Sequence, residues 1–559
     1  MAADNAEVAE LLRRYAATLV IEGGDRFKIK AYRRAADTIE AAEVDVARMV
    51  ADGEDLTVLP GVGKGLAATI TDIVKSGHFA KLEKSVSVLP PELVELATRP
   101  QLDPKKVLRA YKKLGINSLA ALRENLESGK IREALGGPLE FHVRQGLTDR
   151  PRILLVAAEL LAGPIEAFLR AVPKVTEVAR VGSLRRKEQT VGELDFLITG
   201  TGTAATVFKA FEKYGAVRTV GPREKNDAEY TLSNGAIARL AFCKPAEWGF
   251  ELARRSAAPA HWEQLDQLAA KKKLKLVAGV PDEATLYSKL GLTYIEPELR
   301  EGRGEVDAAA AGKLPQLVTL GDLRGDLHMH TTASDGTASI LDMARAAQAR
   351  GYRYIAITDH SQSLKLTNGL TEPRLREHCR AIDEANEQLS NFTIFKSAEV
   401  DILEDGSLDY SQEMLAELDF TVCSIHSKFN LNREQQTERI LRAMDNPYFG
   451  MLGHATGRLL TRREGYELDI DRLIRRAKEV DCFFEINASP DRLDLSDENA
   501  KLAKEAGILI AINTDAHAIG ELDQMQWGIN QARRAWLTSA DVLNTRSAKE
   551  LLKLLHRRR

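Results

Sequence analysis

What most restricts the fold of this 559-residue chain is a series of short apolar runs in its C-terminal part, nearly all of which end in a histidine or an acid. The runs are YRYIAITDH, FTVCSIHS, YFGMLGHA, CFFEINA and ILIAINTDAH, and segments of helical pattern separate them. Such alternation predicts a parallel sheet, and in a chain this long a barrel. The C-terminal ends of parallel strands converge on one face, so polar residues placed there meet. Side chains alternate along a strand, so Asp326-Leu-His328-Met-His330 sets two imidazoles on one side. Asp335 follows in the next turn, then His360, Glu399, His426, His454, Asp515 and His517. CFFEINA alone ends without a candidate ligand.

These nine side chains exceed what one ion needs and predict two or three divalent metals. Mixed imidazole and carboxylate ligands suit manganese, zinc or iron, and the sequence does not choose among them. Of the eleven histidines, eight lie at or beyond position 328. His378 and His556 lack motif surroundings and are expected at the surface. Metals held in this way lower the pKa of a bound water and neutralise phosphoryl oxygens, so phosphate-ester hydrolysis is the expected reaction type.

The length predicts three or four domains. Residues 1 to about 145 carry apolar residues at helical spacing, 150 to 300 mix helices with alternating strands, and Pro297–Leu314 reads as a linker. Four cysteines without a C-x-x-C pair point to a reducing compartment, and no apolar run reaches membrane-spanning length. A cytoplasmic, membrane-free protein is expected. With a net charge of −3, any contact with nucleic acid must use local basic patches. One candidate is Gly61-Val62-Gly63-Lys64-Gly65, where glycines at a helix N-terminus let backbone N–H groups approach a phosphate. The basic run from Arg26 to Arg34 lies upstream of it.

The C-terminal motifs resemble those of the PHP (polymerase and histidinol phosphatase) family, which implies a distorted (β/α)7 barrel over 321–559. By that resemblance His328, His330, Glu399 and Asp515 hold one metal, and Glu399 bridges to a second held by His426 and His454. Asp335, His360 and His517 hold a third, and Arg458 and Arg492 lie near the substrate phosphate. The rest of the chain is similar to bacterial family-X DNA polymerases. That similarity implies an all-α helix-hairpin-helix DNA-binding domain (1–90) and a second helical, fingers-like region (91–150). An α+β nucleotidyltransferase palm and thumb (151–300) and a linker (301–320) follow. Gly182, Ser183 and Arg186 match positions that hold the nucleotide triphosphate.

Several palm positions depart from the family pattern. Glu193 stands where the first metal-binding Asp is found, Asp195 is retained, and the third carboxylate falls at Arg239. A guanidinium repels a cation rather than ligating it. The nucleotide-contacting segment falls at Arg254-Arg255-Ser256-Ala257, and the second hairpin (99–104) lacks its glycines. The lysine used by some relatives as a lyase falls at Thr69. The expectation is therefore a DNA repair enzyme that uses the barrel as a 3′–5′ exonuclease or abasic-site nuclease. Its substrate would be gapped, nicked or 3′-blocked duplex, and polymerase activity and magnesium binding at the palm would be weak or lost. The alternatives are an active gap-filling polymerase with a barrel nuclease, and a phosphatase of the histidinol phosphate type.

Overall fold

A computed structural model describes residues 5–41, 45–99, 102–147, 152–274, 276 and 279–556. The N-terminal region is helical, as the periodicity predicts. Val8, Leu12, Tyr15, Ala16 and Leu19 on the helix Asn5–Ile21 pack against Tyr32, Ala35, Ala36 and Ile39 of the helix Arg26–Ala41. The hairpin of interest joins Val46–Asp52, through a turn at Leu56–Val58, to the helix Lys64–Ser76. Gly61 is left-handed (φ 82°), a backbone shape that favours glycine, and it lies against the Arg34 side chain. A second helical group with its own core follows, including Pro104–Leu114 and Leu119–Glu127, capped by the Asp103 and Ser118 side chains. Pro100 and Gln101 of the second hairpin lie outside the described residues.

The palm is a five-stranded sheet of β1 (Val175–Arg180), β2 (Glu193–Gly200), β3 (Val217–Arg223), β4 (Asp227–Leu232) and β5 (Ile237–Cys243), in the order β1-β2-β5-β4-β3. Strands β2 and β5 are parallel and the other pairs antiparallel.

The C-terminal domain is built on parallel strands: β6 (Gly325–Asp326), β7 (Tyr354–Ile357), β8 (Thr393–Lys396), β9 (Glu399–Asp401), β10 (Val422–Ser424), β11 (Met451–Leu452), β12 (Phe483–Asn487) and β13 (Ile510–Asn513). They form runs of three and five strands. Bridges between His360 and Glu399 and between Met329 and Ala516 join the runs into a ring. Strands β8 and β9 are one chain segment broken at Ser397–Ala398, so the ring has seven staves and is distorted at that break. Its strands are buried on both faces, which explains their unbroken apolar pattern.

The segment expected to be a linker is instead packed. Arg300 is fully buried, with its guanidinium against Glu283 and over the rings of Tyr287 and Tyr294. Glu305 accepts from the backbone of Gly302 and Arg303 at 2.6 Å and pairs with buried His261 at 2.5 Å. Its Gly and Ala residues allow close packing, which a reading by composition mistakes for looseness. This segment also ties the palm to the barrel. Arg534 of the barrel reaches the Arg186 carbonyl (2.9 Å), Glu301 (2.8 Å) and Asp497 (3.0 Å), while Arg303 pairs with Asp497 (2.8 Å) and Arg533 with Glu298 (2.8 Å).

Candidate metal centre

The strand ends bring all nine candidate side chains to one mouth of the barrel. Met329 is buried in the main apolar cluster, and His328 and His330 on either side of it lie against Glu399 and Asp515 at the mouth. Glu399 is the hub. Its carboxylate lies 3.6 Å from His328, 3.7 Å from His330, 2.8 Å from His360, 3.3 Å from His426 and 2.8 Å from His454. Asp515 is 3.0 Å from His330 and 3.5 Å from His328, and Asp335 is 3.6 Å from His360 and 3.5 Å from His517.

Three sets of side chains offer ligand atoms within 4.8 Å of one another: His330, Asp335, His360 and His517; His328, His330 and Asp515; His360, Glu399 and His426. The grouping is more shared than the resemblance implies, since His330 and His360 each serve two sets. His454 belongs to none of the three sets, and its ring lies 2.8 Å from Glu399.

Several lone pairs have no protein partner. His328 Nε2, His330 Nδ1 and His454 Nδ1 are buried without a hydrogen bond, while His360 Nδ1 and Glu399 Oε2 face only each other, at 2.8 Å. Buried polar atoms are nearly always paired, so three unpaired imidazole nitrogens in one cluster fit cation ligation. His454 (φ 24°) and Asp515 (φ 55°) also hold left-handed backbone.

The electrostatics agree. Burial disfavours charge on His360, yet Glu399 and Asp335 outweigh it and raise its pKa to about 10. His426 rises against the same burial penalty to about 9, drawn by Glu399 and Asp401. Burial and the neighbouring His360 instead push His330 down to about 4. A metal-free cluster therefore holds protons that a cation would displace.

A further set of residues holds the cluster from behind, and the sequence reading missed it. Glu485 stands in the middle of CFFEINA, fully buried. It lies 2.7 Å from His328 Nδ1 and accepts from the Asn513 amide (2.9 Å) and the His454 backbone N–H (2.8 Å). Asp401 holds His426 Nδ1 at 2.9 Å. His378, expected at the surface, is buried with Nε2 2.8 Å from Asp359, whose carboxylate also accepts from Thr331 N–H at 2.8 Å. Helical periodicity carries His378 to the inner face of the helix Glu372–Glu387. His556 is exposed. A charged residue inside a wholly apolar strand run was the available signal for Glu485, because burying it without partners is costly.

The two arginines differ. Arg492 Nε lies 3.6 Å from Asp515. Arg458 is placed otherwise than expected. Its guanidinium donates to the carbonyls of Arg492 (3.0 Å) and Leu493 and to Gln189 of the palm (2.7 Å), so it braces the domain interface rather than pointing into the cluster.

The palm positions also come together, but with cations already among them. Asp195 and Arg239 are directly paired across β2 and β5, and Glu229 and Arg239 across β4 and β5. Arg239 lies 3.5 Å from Glu193 and 3.1 Å from Glu229, while Arg255 lies 2.8 Å from Asp227 and 2.9 Å from Glu251. Gly182 (φ 63°) is pressed on Asp195, where a Cβ would sit 2.4 Å from the carboxylate. Ser183 is on the same short helix, Gly182–Arg185. Arg186 is buried and paired with Glu188 and with Glu301 (2.9 Å). Burial and adjacent Glu193 push Asp195 up to about 7, against the pull of Arg239 and Arg255.

Comparison with known proteins covers the whole length. The helix-hairpin-helix domain description matches residues 3–79, and the PHP domain description matches residues 326–515. The chain is 35% identical over 571 residues to the DNA polymerase/3′-5′ exonuclease PolX of Bacillus subtilis (strain 168), covering 99% of each. It is also 31% identical over 231 residues to a probable phosphatase of Thermoanaerobacter sp. (strain X514), covering 39% of this chain and 89% of that protein. A probable phosphatase of Acetivibrio thermocellus is 31% identical over 212 residues, covering 36% of this chain and 83% of that protein. No helix among the described residues is long and apolar enough to cross a membrane.

Proposed function

Because this chain belongs to the family of the DNA polymerase/3′-5′ exonuclease PolX, we propose that its barrel removes nucleotides or blocking groups from DNA 3′ ends by metal-dependent hydrolysis, with abasic-site cleavage as a related activity. The observation that carries this reading is Glu399, whose buried carboxylate is ringed by five imidazoles with unpaired nitrogen atoms among them. His328, His330, Asp335, His360, Glu399, His426, His454, Asp515 and His517 would hold two or three ions, with manganese the expected metal and zinc or iron able to replace it. Bound there, the metals would supply a nucleophile near neutral pH and charge stabilisation for the phosphoryl oxygens.

The chain's own residues set the geometry. Glu485 and Asp401 fix the rings of His328 and His426 through Nδ1, leaving Nε2 of each directed at Glu399. Arg492, beside Asp515, is suited to hold a non-bridging phosphate oxygen. Gly61–Gly65 would grip the DNA backbone without reading sequence, and gapped, nicked or 3′-blocked duplex is the expected substrate. The helical regions would divide from the palm near 90 and 150, and the packed segment around 300–320 would hold palm and barrel together, in a cytoplasmic protein.

We infer further that templated synthesis is weak or lost. Arg239 and Arg255 stand among the acids that two metals would need, and Arg186 is engaged by Glu188 and Glu301 instead of being open to a triphosphate.

The test is a nuclease assay with manganese on gapped, 3′-phosphate and abasic duplexes, run beside primer extension. His330→Ala should abolish cleavage and leave DNA affinity nearly intact. Cleavage that survives in His330→Ala sinks the barrel assignment. Robust templated extension by that same variant sinks the reading of the palm.

A further inference from the structure

The end of the barrel opposite the metal cluster carries a second polar hollow. A cleft of about 600 Å3 opens beneath the strand N-termini, lined by Asp322, Arg324, Arg353, Ser539, Thr545 and Arg546 together with a few glycines and small apolar residues. Arg324 immediately precedes β6 and Arg353 immediately precedes β7, and the two are coupled by a 2.6 Å hydrogen bond from Arg353 N to the Arg324 carbonyl. Arg546 is fixed beside them, since its carbonyl accepts from Tyr354 OH at 3.0 Å. Three guanidiniums from three distant stretches of sequence therefore face one concave site on the rigid floor of the barrel.

None of the three is neutralised by a carboxylate ion pair among the described residues. Arg324 Nε donates to the Thr545 carbonyl (3.0 Å), and Arg546 donates to the carbonyls of Val542 and Ala540 (2.7 Å for the latter). Carbonyl contacts orient a guanidinium but leave its charge uncompensated. The Arg353 guanidinium is exposed and has no side-chain partner among the described residues. Two acids stand near, Asp322 on the cleft wall and Glu550, which feels the charges of Arg546 and Arg324, so the three guanidiniums keep an excess of one positive charge. Asp322 accepts from Thr319 N and Oγ1, both at 2.8 Å, and Glu550 accepts from Ser547 N (3.0 Å) and Oγ (2.6 Å).

We propose that this cleft binds a compact polyphosphate anion, either inorganic or the phosphate tail of a nucleotide. Planar guanidiniums match phosphate oxygens in pairs, and the hydroxyl of Ser539 adds a neutral donor. The volume is that of a small-molecule site. No aromatic ring lines it, so the phosphates and not a base are recognised. A duplex backbone is a long convex ridge, met by a stripe of cations rather than by three around one hollow. This inference stands apart from the hydrolytic function of the opposite face.

The test is calorimetric titration of the full chain in chelating buffer with inorganic tripolyphosphate, ATP and a short blunt duplex. One saturable site for tripolyphosphate is expected, with ATP binding comparably. Arg353→Ala should weaken both by about tenfold or more, as for loss of a charge-assisted contact. Arg353→Lys should fall between, because it keeps the charge but not the paired donors. Ser539→Asp, which places a carboxylate in the cleft without removing an arginine, should weaken binding as well. Manganese-dependent nuclease activity should be unchanged in all three. Equal affinity in wild type and Arg353→Ala, or no saturable binding, overturns the proposal. So does ATP binding without tripolyphosphate binding, or an Arg353→Ala defect confined to the duplex.

Discussion

The barrel mouth and the palm sheet present the same raw material, clustered carboxylates, and differ in the cations around them. At the mouth, Glu399, Asp515 and Asp335 are surrounded by imidazoles. In the palm, Glu193, Glu229, Asp227 and Glu251 are met by Arg239 and Arg255. An imidazole can release its proton and offer a lone pair to a metal, whereas a guanidinium stays charged and has no lone pair to give. Among the described residues, every set of three or more close ligand atoms lies at the barrel. One region can thus exchange the protons beside its acids for a metal, and the other holds cations that it cannot give up.

The largest effect should come from Glu399→Ala. It removes the carboxylate shared by five imidazoles, and hydrolysis should fall by about a thousandfold or more, as when a catalytic unit loses one member. The matched change in the palm, Glu193→Ala, should leave nuclease rates within about twofold, since interactions at a distant independent site add little. Equal losses from the two variants would erase the distinction between the regions.

A smaller effect is expected from Glu485→Gln. Glu485 is an acceptor only, facing His328 Nδ1, the Asn513 amide and the His454 N–H. A glutamine must turn its NH2 toward at least one of those donors. Metal affinity should fall by about 10–100-fold, the usual cost of losing such a supporting contact, with the fold retained. Metal content after dialysis against graded chelator, with a melting curve as control, measures this directly. Unchanged retention would reduce Glu485 to a packing residue.

Glu485 also marks where the sequence stopped being legible. The strand-end ligands could be read because each one interrupts an apolar run at its boundary, where the parallel arrangement itself makes side chains converge. Glu485 lies inside such a run, and its partners Asn513 and His328 come from strands far away in sequence. Only the closed ring brings them together. His378 was hidden for a related reason, since its helix had to be oriented before the residue could be placed against Asp359. Arg458 was expected near the phosphate from its match to a family position, which says nothing about a side chain that crosses to Gln189 of another region. The linker was misread because Arg300 and Glu305 look solvated until His261, Glu283 and Tyr287 are seen around them. The palm was legible in register as well as motif, since Arg239 does stand beside Asp195.

The subtlest contrast lies in the response to pH. Asp195 is pushed up to about 7 by burial and by Glu193, so the folded state binds a proton that the unfolded chain releases near 3.8. Its contribution to stability is present below about 4 and is lost as pH rises through about 7. Asp195→Asn should remove that loss and raise stability at pH 8 by about 1–2 kcal/mol. This is less than the ~4 kcal/mol equivalent to three pKa units, because water reaches the neighbouring Glu193 and Arg239. A working magnesium site would behave in the opposite way. Cation would hold Asp195 ionised, millimolar magnesium would raise the melting temperature at pH 8, and Asp195→Asn would abolish that rise. Melting curves between pH 4 and 8, with and without magnesium on a Glu399→Ala background, separate the two cases. If magnesium stabilises the wild-type palm and not Asp195→Asn, the internal arginines have not displaced the metals, and the palm belongs with the barrel as a second cation-dependent site.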